Sequence, residues 1–365
     1  VWIMAYTTID DPSAYFQTAL YTGNGGTLAV TNDGNSDMQP DWVWAKSRTQ
    51  ANSHVFFDVV RTFAGDKEIQ SNNTGAEGAS DSAGYGYISA VGSDGFTAKA
   101  GTTAGDYTNV SSQNYVAWNW KAGTSFTNDA SSTGIGGIDS AGSFNNTAGF
   151  SIVTYTGNAG TTTVKHGMNV APKMIWFKRR NADSTNWYIY HASIGQGKRL
   201  VLNTTAAEAA DTEYMNNTAP TTSVFSLGPS GTTNTTGNHL AYCFAEIKGY
   251  SKFGSYTGNG NANGTFVYTG QKSRFIMIKA ASRTGTWNIY DTKRNPHNNI
   301  QDFHVANVAE ADVTGNTYQN IDILSNGFKC YGTGSGTNES GATYIFMAFA
   351  ENPFVTSTGI PATAR

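Results

Sequence analysis

Three glutamates at matched places are the first residues of this chain that suggest chemistry. Glu77, Glu208 and Glu310 each follow a turn of small residues. A carboxyl kept protonated opposite a second carboxylate is the machinery of glycoside hydrolysis. Such a pair must face one scissile bond, whereas here a single glutamate recurs in each of three stretches without a matched second acid. A residue that recurs along a chain serves the fold more readily than one active site, so the reading is structural. The histidines lie at 54, 166, 191, 239, 297 and 304. His297 and His304, with Asp302 between them, have metal-ligand side chains, but ordinary polar loop residues are the stronger reading there. Asp33-Gly34-Asn35-Ser36-Asp37 resembles half of a calcium loop. The sixth and twelfth positions, which need glycine and a bidentate glutamate, hold Met38 and Trp44, so a polar turn is expected.

Cys243 and Cys330 sit inside apolar runs and read as buried free thiols, not as a disulfide framework or zinc site. The chain has no Gly-x-Ser-x-Gly elbow, Walker loop, dinucleotide fingerprint or His-Glu-x-x-His helix. Catalytic, cofactor and metal residues are therefore expected to be none, and ligand-binding residues stay unassigned. Trp42, Trp44, Trp176, Trp187 and Trp287 could stack on sugar rings. Their place in or beside strand patterns makes core packing the expectation.

The elements that carry these residues recur. Tyr-Thr-Gly-Asn opens a stretch at Tyr21, Tyr155 and Tyr256, and Tyr256–Gly260 repeats Tyr21–Gly25 letter for letter. An apolar run ending in lysine follows each time, at Lys46, Lys178 and Lys279, with offsets from the tyrosine of 25, 23 and 23. A second run comes next (His54–Asp58, Trp187–His191, Trp287–Asp291), then the glutamate turn. Asp-x-x-Arg is shared by the first and third stretches as Asp58/Arg61 and Asp291/Arg294. Thr205-Ala206-Ala207-Glu208 has a capping-box pattern for a short helix. Asp94-Gly95-Phe96 and Asn326-Gly327-Phe328 read as tight hairpins. Tyr115–Trp120, His239–Phe244 and Tyr344–Phe349 close the three stretches. Repetition on this scale marks tandem units.

The openings are 134 and then 101 residues apart, and most of the excess falls in 124–147, whose Gly, Ser, Thr and Asn content is that of a linker. The expected division is a lead-in or attachment segment at 1–20, β units at 21–123, 148–250 and 251–354, the linker at 124–147 and a tail at 355–365. In the lead-in, Asp11 caps a short helix begun by Pro12, with Tyr15, Phe16 and Leu20 docking. The seam Gly249–Gly260 joins the second and third units directly, which predicts a rigid pair with the first unit tethered loosely.

Composition fits this. Charged residues are 13% of the chain, Leu only 7, and Ile 19, Val 19, Tyr 19 and Phe 19 supply β-branched and aromatic bulk. The fold expected is all-β, three tandem β-sandwiches of about 100 residues each. A net charge of −3 gives no field for nucleic acid or anionic membrane. No stretch approaches the roughly 18 apolar residues of a spanning helix, and the start of the chain does not read as a signal peptide.

Taken together, Tyr6–Gln17 leading into Tyr-Thr-Gly-Asn-Gly, Val164–Met168 with Pro172–Lys178, Tyr242–Glu246 with its seam, and Met347–Phe354 resemble a family: repeat-domain, tail-fibre or lectin-like virion proteins of marine tailed bacteriophages. The resemblance covers nearly the whole chain. It implies concanavalin-like β-sandwich domains and a non-enzymatic protein on the virion surface, most simply a tail-fibre or adsorption protein that binds host glycans. The alternatives are a capsid decoration or head-fibre protein and, behind both, a polysaccharide depolymerase. The implied partners are other virion proteins and a host cell-surface glycan, with homo-oligomers, trimers by analogy with the class. Trp118-Asn119-Trp120 departs most from the closing strands of the other stretches.

Overall fold

A computed structural model describes residues 5–103 and 107–363; residues 1–4 at the start of the lead-in and the last two of the tail lie outside it. The protein is all-β, with several antiparallel sheets and, among the described residues, no closed barrel. Three large sheets share one order of five strands. The first runs Phe16–Thr22, Asn114–Trp120, Trp42–Ser47, Val55–Asp58, Ile69–Gln70. The second contains Phe150–Gly157, Gly237–Ala245, Pro172–Arg179, Tyr188–His191, Lys198–Val201, and the third Ser251–Thr257, Thr343–Pro353, Gln271–Ala280, Trp287–Asp291, His304–Val305. A sheet of two or three short strands covers one face of each, built around Phe96–Lys99, Val224–Leu227 and Gly327–Cys330.

The central strands bury both faces, which is why their sequences run apolar without a polar alternation. In the first sheet Val43, Ala45 and Phe57 meet Val30, Phe96 and Ala98 beneath the small sheet. Ile175 and Phe177 meet Phe225 and Leu227 in the second, and Ile276 and Ile278 meet Val267 and Phe328 in the third. The opposite faces of all three large sheets turn toward one another and form a single aromatic interior. Trp42, Trp44, Trp118 and Trp120 contribute from the first, Trp176, Trp187, Tyr242 and Phe244 from the second, and Phe275, Trp287 and Phe349 from the third. Trp42 lies 4.5 Å from Tyr242 and 4.4 Å from Trp120 between ring centroids, and Phe349 touches both Trp120 and Phe244. The first segment is thus packed into the body as firmly as the other two, and the expected loose tether is corrected. The tryptophans sit in the core, as strand aromatics should.

The stretch 124–147 is also not a linker. Thr124–Asn128 and Ser140–Asn145 are strands that extend the second sheet beyond Phe150–Gly157, joined by the short helix Ala130–Thr133. Composition hid a period of two: Phe126 and Phe144 pack edge to face at 5.9 Å and lean on the second sandwich core, while Ser125 and Thr127 on either side of Phe126 face outward. Asp129 caps the helix by accepting from the Ser132 amide, and Gly134 closes it in a left-handed conformation.

Other local expectations fare variously. Asp11 does cap a single 3-10 turn, Pro12–Ala14, and Phe16 docks on Phe275 and Phe349 of the third sheet. The first strand begins at Phe16, inside the expected lead-in. No helix forms at Thr205–Glu208: the Thr205 carbonyl accepts from Gly285 and the Glu208 amide donates to Ala281, so joints to the third segment outweigh a local cap. Both hairpins exist. Gly95 takes positive φ, but Gly327 is needed because a Cβ there would lie 2.1 Å from the Val267 carbonyl oxygen. The tail folds back, with the Ala362 amide on the Phe354 carbonyl and Ser357 bonded to Asp10.

Candidate functional site

The repeated pentapeptide is a turn lock. The opening tyrosines pair with the closing strands and stack on Tyr115, His239 and Tyr344 at 5.1, 5.2 and 5.1 Å. Their hydroxyls donate to the carbonyls of Thr108, Thr233 and Thr337. The glycines Gly23, Gly157 and Gly258 each lie where a Cβ would come within 2.1–2.3 Å of a backbone oxygen, so no other residue fits. The asparagines exchange bonds with a second, fully buried asparagine, Asn109, Asn234 or Asn338, that sequence inspection had not singled out. Asn338 also donates to the carbonyls of Asn261 and Gly332. Asn338→Ala is expected to cost about 1–3 kcal/mol by stranding these acceptors, read as a lower urea midpoint.

The remaining repeated polar residues lie at the joints between segments and follow one cyclic rule. The Glu77 amide donates to Arg180 of the second segment, the Glu208 amide to Ala281 of the third, and the Asp312 amide to Arg48 of the first. Asp312, not Glu310, therefore stands where Glu77 and Glu208 stand; the two-residue shift put the wrong acid in register. Glu77 holds the Arg180 guanidinium through two bonds, 2.5 and 3.0 Å, and Asp312 pairs with Arg48 at 2.8 Å. Ala281 offers no cation, and Glu208 pairs within its own segment with Lys198.

A second ring lies deeper. Asp58 accepts from the Tyr242 hydroxyl at 2.7 Å and from Arg61 at 2.6 Å. Asp291 accepts from the Trp118 indole at 3.1 Å and from Arg294 at 2.6 Å. The residue in register with Trp118 and Tyr242 on the third closing strand is Met347, which has no donor. There the second segment presents His191 instead of an aspartate, and it donates to the Phe346 carbonyl. A third ring joins the indoles of Trp187 and Trp287 to the carbonyls of Gln70 and Val201. His54 takes this place in the first segment, accepting from Trp44 and facing the Val305 carbonyl. His304 is not a loop residue: it is buried in a short strand 3.1 Å from Asp312, while His297 lies outside the strands and is not fully buried. Burial holds His54, His191 and His304 below the ordinary imidazole range.

The three run-ending lysines are wholly buried at these joints. Lys178 donates to Thr74 and Thr185 carbonyls, Lys279 to the Arg283 carbonyl, and Lys46 to Ser47 and Gln50 carbonyls. Burial lowers Lys46 to about 7 against the opposing pull of Asp312, and Lys178 and Lys279 to about 8. Between those values and the ordinary 10.5 the unfolded chain binds more protons than the folded one, so stability rises with pH. The penalty is complete below about 7 and relieved above it. The urea midpoint is expected to climb from pH 7 to 8, before unfolded thiols ionise, and Lys46→Met is expected to flatten the climb. A midpoint that falls over that interval contradicts the assignment.

Cys243 and Cys330 are buried free thiols with raised pKa. Glu68, pushed up to about 7 by burial, is the acid a search for proton donors would stop at, but it accepts from the Ser80 amide in its own turn. Asp33, in the calcium-like stretch, pairs with Lys293, and Ser36 bonds Asp11.

The surface hollows lie elsewhere. One of about 350 Å³ is lined by Thr127, Asn128, Asp129, Asp139, Thr154, Thr156, Arg180 and Asn238, among others. A second of about 350 Å³ shares Ala141 with it and continues past Ser125, Gly142 and Ser143 to Val59, Val60 and Asp41 of the first segment. The two hollows adjoin at Ala141, along the added strand pair.

Fold and joints together define an all-β body in which the recurring polar side chains hold sheets to one another. The chain belongs to the family described as Domain of unknown function (DUF7483), whose model matches residues 11–353. That span begins at the Asp11 cap and ends with the last long strand, so one family unit takes in all three large sheets. No curated protein and no solved structure matches the chain.

Proposed function

We propose that the chain is a non-enzymatic structural protein of a bacteriophage particle, a tail-fibre or adsorption component on the virion surface that engages glycans of the host cell. The observation that supports this most is the fate of the repeated polar residues. Glu77, Glu208 and Asp312, the Asp–Arg pairs and the buried lysines all bond across or beside joints between segments, where they stiffen a body and do not meet a substrate. A rigid body with a polar exterior suits display, and the likeness to marine phage virion proteins supplies the setting. Immunogold labelling of purified particles tests it: label along the tail is expected, and label confined to the capsid interior or to host cytoplasm overturns it.

A second reading, a capsid decoration protein, is favoured by the cyclic order of the joints, since three similar sheets joined in a cycle suit a threefold seat on a shell. Label on the head alone decides for it. Depolymerase activity ranks behind both; release of reducing sugar from host envelope by the purified chain would restore it.

A further inference from the structure

We infer that the groove along Thr124–Asn128 and Ser140–Asn145 is a binding site for a neutral oligosaccharide. This deepens the adhesion reading and rests on it only for the source of the ligand. The second large sheet exceeds the shared strand order at both edges, by the two-residue strand Ala209–Ala210 on one side and by this longer strand pair on the other, and the groove lies along the pair. An addition that the common packing does not require, yet which builds a hollow of this size, is where a binding function is best sought. Each half, at about 350 Å³, falls within the range of small-ligand sites.

The lining sets the ligand class. Thr127, Thr156 and Asn238 are exposed, and their side chains have no hydrogen-bond partner among the described residues. Asp129 and Asp139 each use Oδ1 to accept from the protein, in the helix turn beside the groove, and leave Oδ2 open. Hydroxyl and amide groups that both donate and accept, beside carboxylate oxygens that accept, match the vicinal hydroxyls of sugars. An anionic ligand is disfavoured, because the Arg180 guanidinium is engaged by Glu77 while two carboxylates stand at the rim. Val59 and Val60 at the far end supply an apolar wall for the carbon face of a ring.

The full chain and its Thr127→Trp, Thr156→Trp and Asn238→Ala variants are applied to one array of neutral, amino-bearing and acidic oligosaccharides, with thermal unfolding as the folding control. The expected result is binding to neutral oligosaccharides by the unsubstituted chain that weakens by about tenfold in the variants at unchanged unfolding temperature. The tryptophans act by filling the groove and Asn238→Ala by removing a polar contact, so a tryptophan variant that fails to fold leaves the alanine variant to decide. Undiminished binding by the folded variants overturns the groove assignment and leaves adhesion standing. Preference for acidic sugars overturns the ligand class, and no binding to any glycan overturns adhesion and groove together.

Discussion

Trp42→Ala is expected to destabilise the chain by about 3–5 kcal/mol, the range for removing a large buried aromatic. The indole is fully buried and lies within ring-contact distance of Trp44, Phe56 and Trp120 from the first segment and Phe150, Trp176, Tyr242 and Phe244 from the second. The cavity therefore opens between segments, where two sheets must move together to close it. Trp42→Phe is expected to cost much less, because the indole N–H has no hydrogen-bond partner among the described residues and only bulk is lost. Urea denaturation followed by tryptophan emission reads both. Equal losses from the two substitutions would show that the ring's volume is not what the site uses.

Arg294→Met is expected to cost about 3–5 kcal/mol for a different reason. Arg294 and Asp291 are completely buried, and the guanidinium also bonds Asp312 at 2.5 Å and lies over the Trp118 ring. Removing the cation leaves the Asp291 carboxylate without its counter-charge in the joint between third and first segments, and Asp312 with Arg48 alone. Adding Asp291→Asn should recover part of the loss, since the buried charge is removed and the amide oxygen, standing in place of Oδ1, still accepts from the backbone amides of Lys293 and Arg294, while the bond from the Trp118 indole to Oδ2 is given up. A double variant as unstable as the single one would argue that Arg294 contributes by packing alone. The corresponding Arg61→Met meets Asp58 and Glu77 at the joint between first and second segments and should behave alike.

Much of the fold was legible because each central strand is covered on both faces. Runs such as Trp42–Lys46 and Phe275–Lys279 show no alternation, and β-branched and aromatic bulk marks them as strands. What stayed hidden was which face of a strand meets which neighbour. Trp44 and Ala45 look alike in a one-dimensional run, yet one belongs to the shared interior and the other to the first sandwich core. The linker reading of 124–147 failed because Ser, Thr and Gly dominate by number while two phenylalanines decide the structure. Glu310 was matched by residue type, and the backbone joint shows that Asp312 is the partner of Glu77 and Glu208.

The polar rings could be read in part. Asp-x-x-Arg was visible as a shared pattern, but its absence from the second segment made sense only once Met347 was seen facing that place. The buried asparagines behind each Tyr-Thr-Gly-Asn turn left a fainter trace: Thr108-Asn109, Thr233-Asn234 and Thr337-Asn338 recur as a dipeptide ahead of each closing strand. The groove left none, since it depends on where an added strand pair meets Val59 and Val60 of a segment distant in the chain.

Native-state hydrogen exchange on the intact chain tests most directly the claim that three sheets close on one interior. The account predicts that the amides of Asn114–Trp120, Gly237–Ala245 and Thr343–Pro353 exchange through one shared opening, with the same free energy and denaturant dependence. A first sheet that opens alone at lower free energy, with 124–147 exchanging as freely as an unstructured linker, would contradict it.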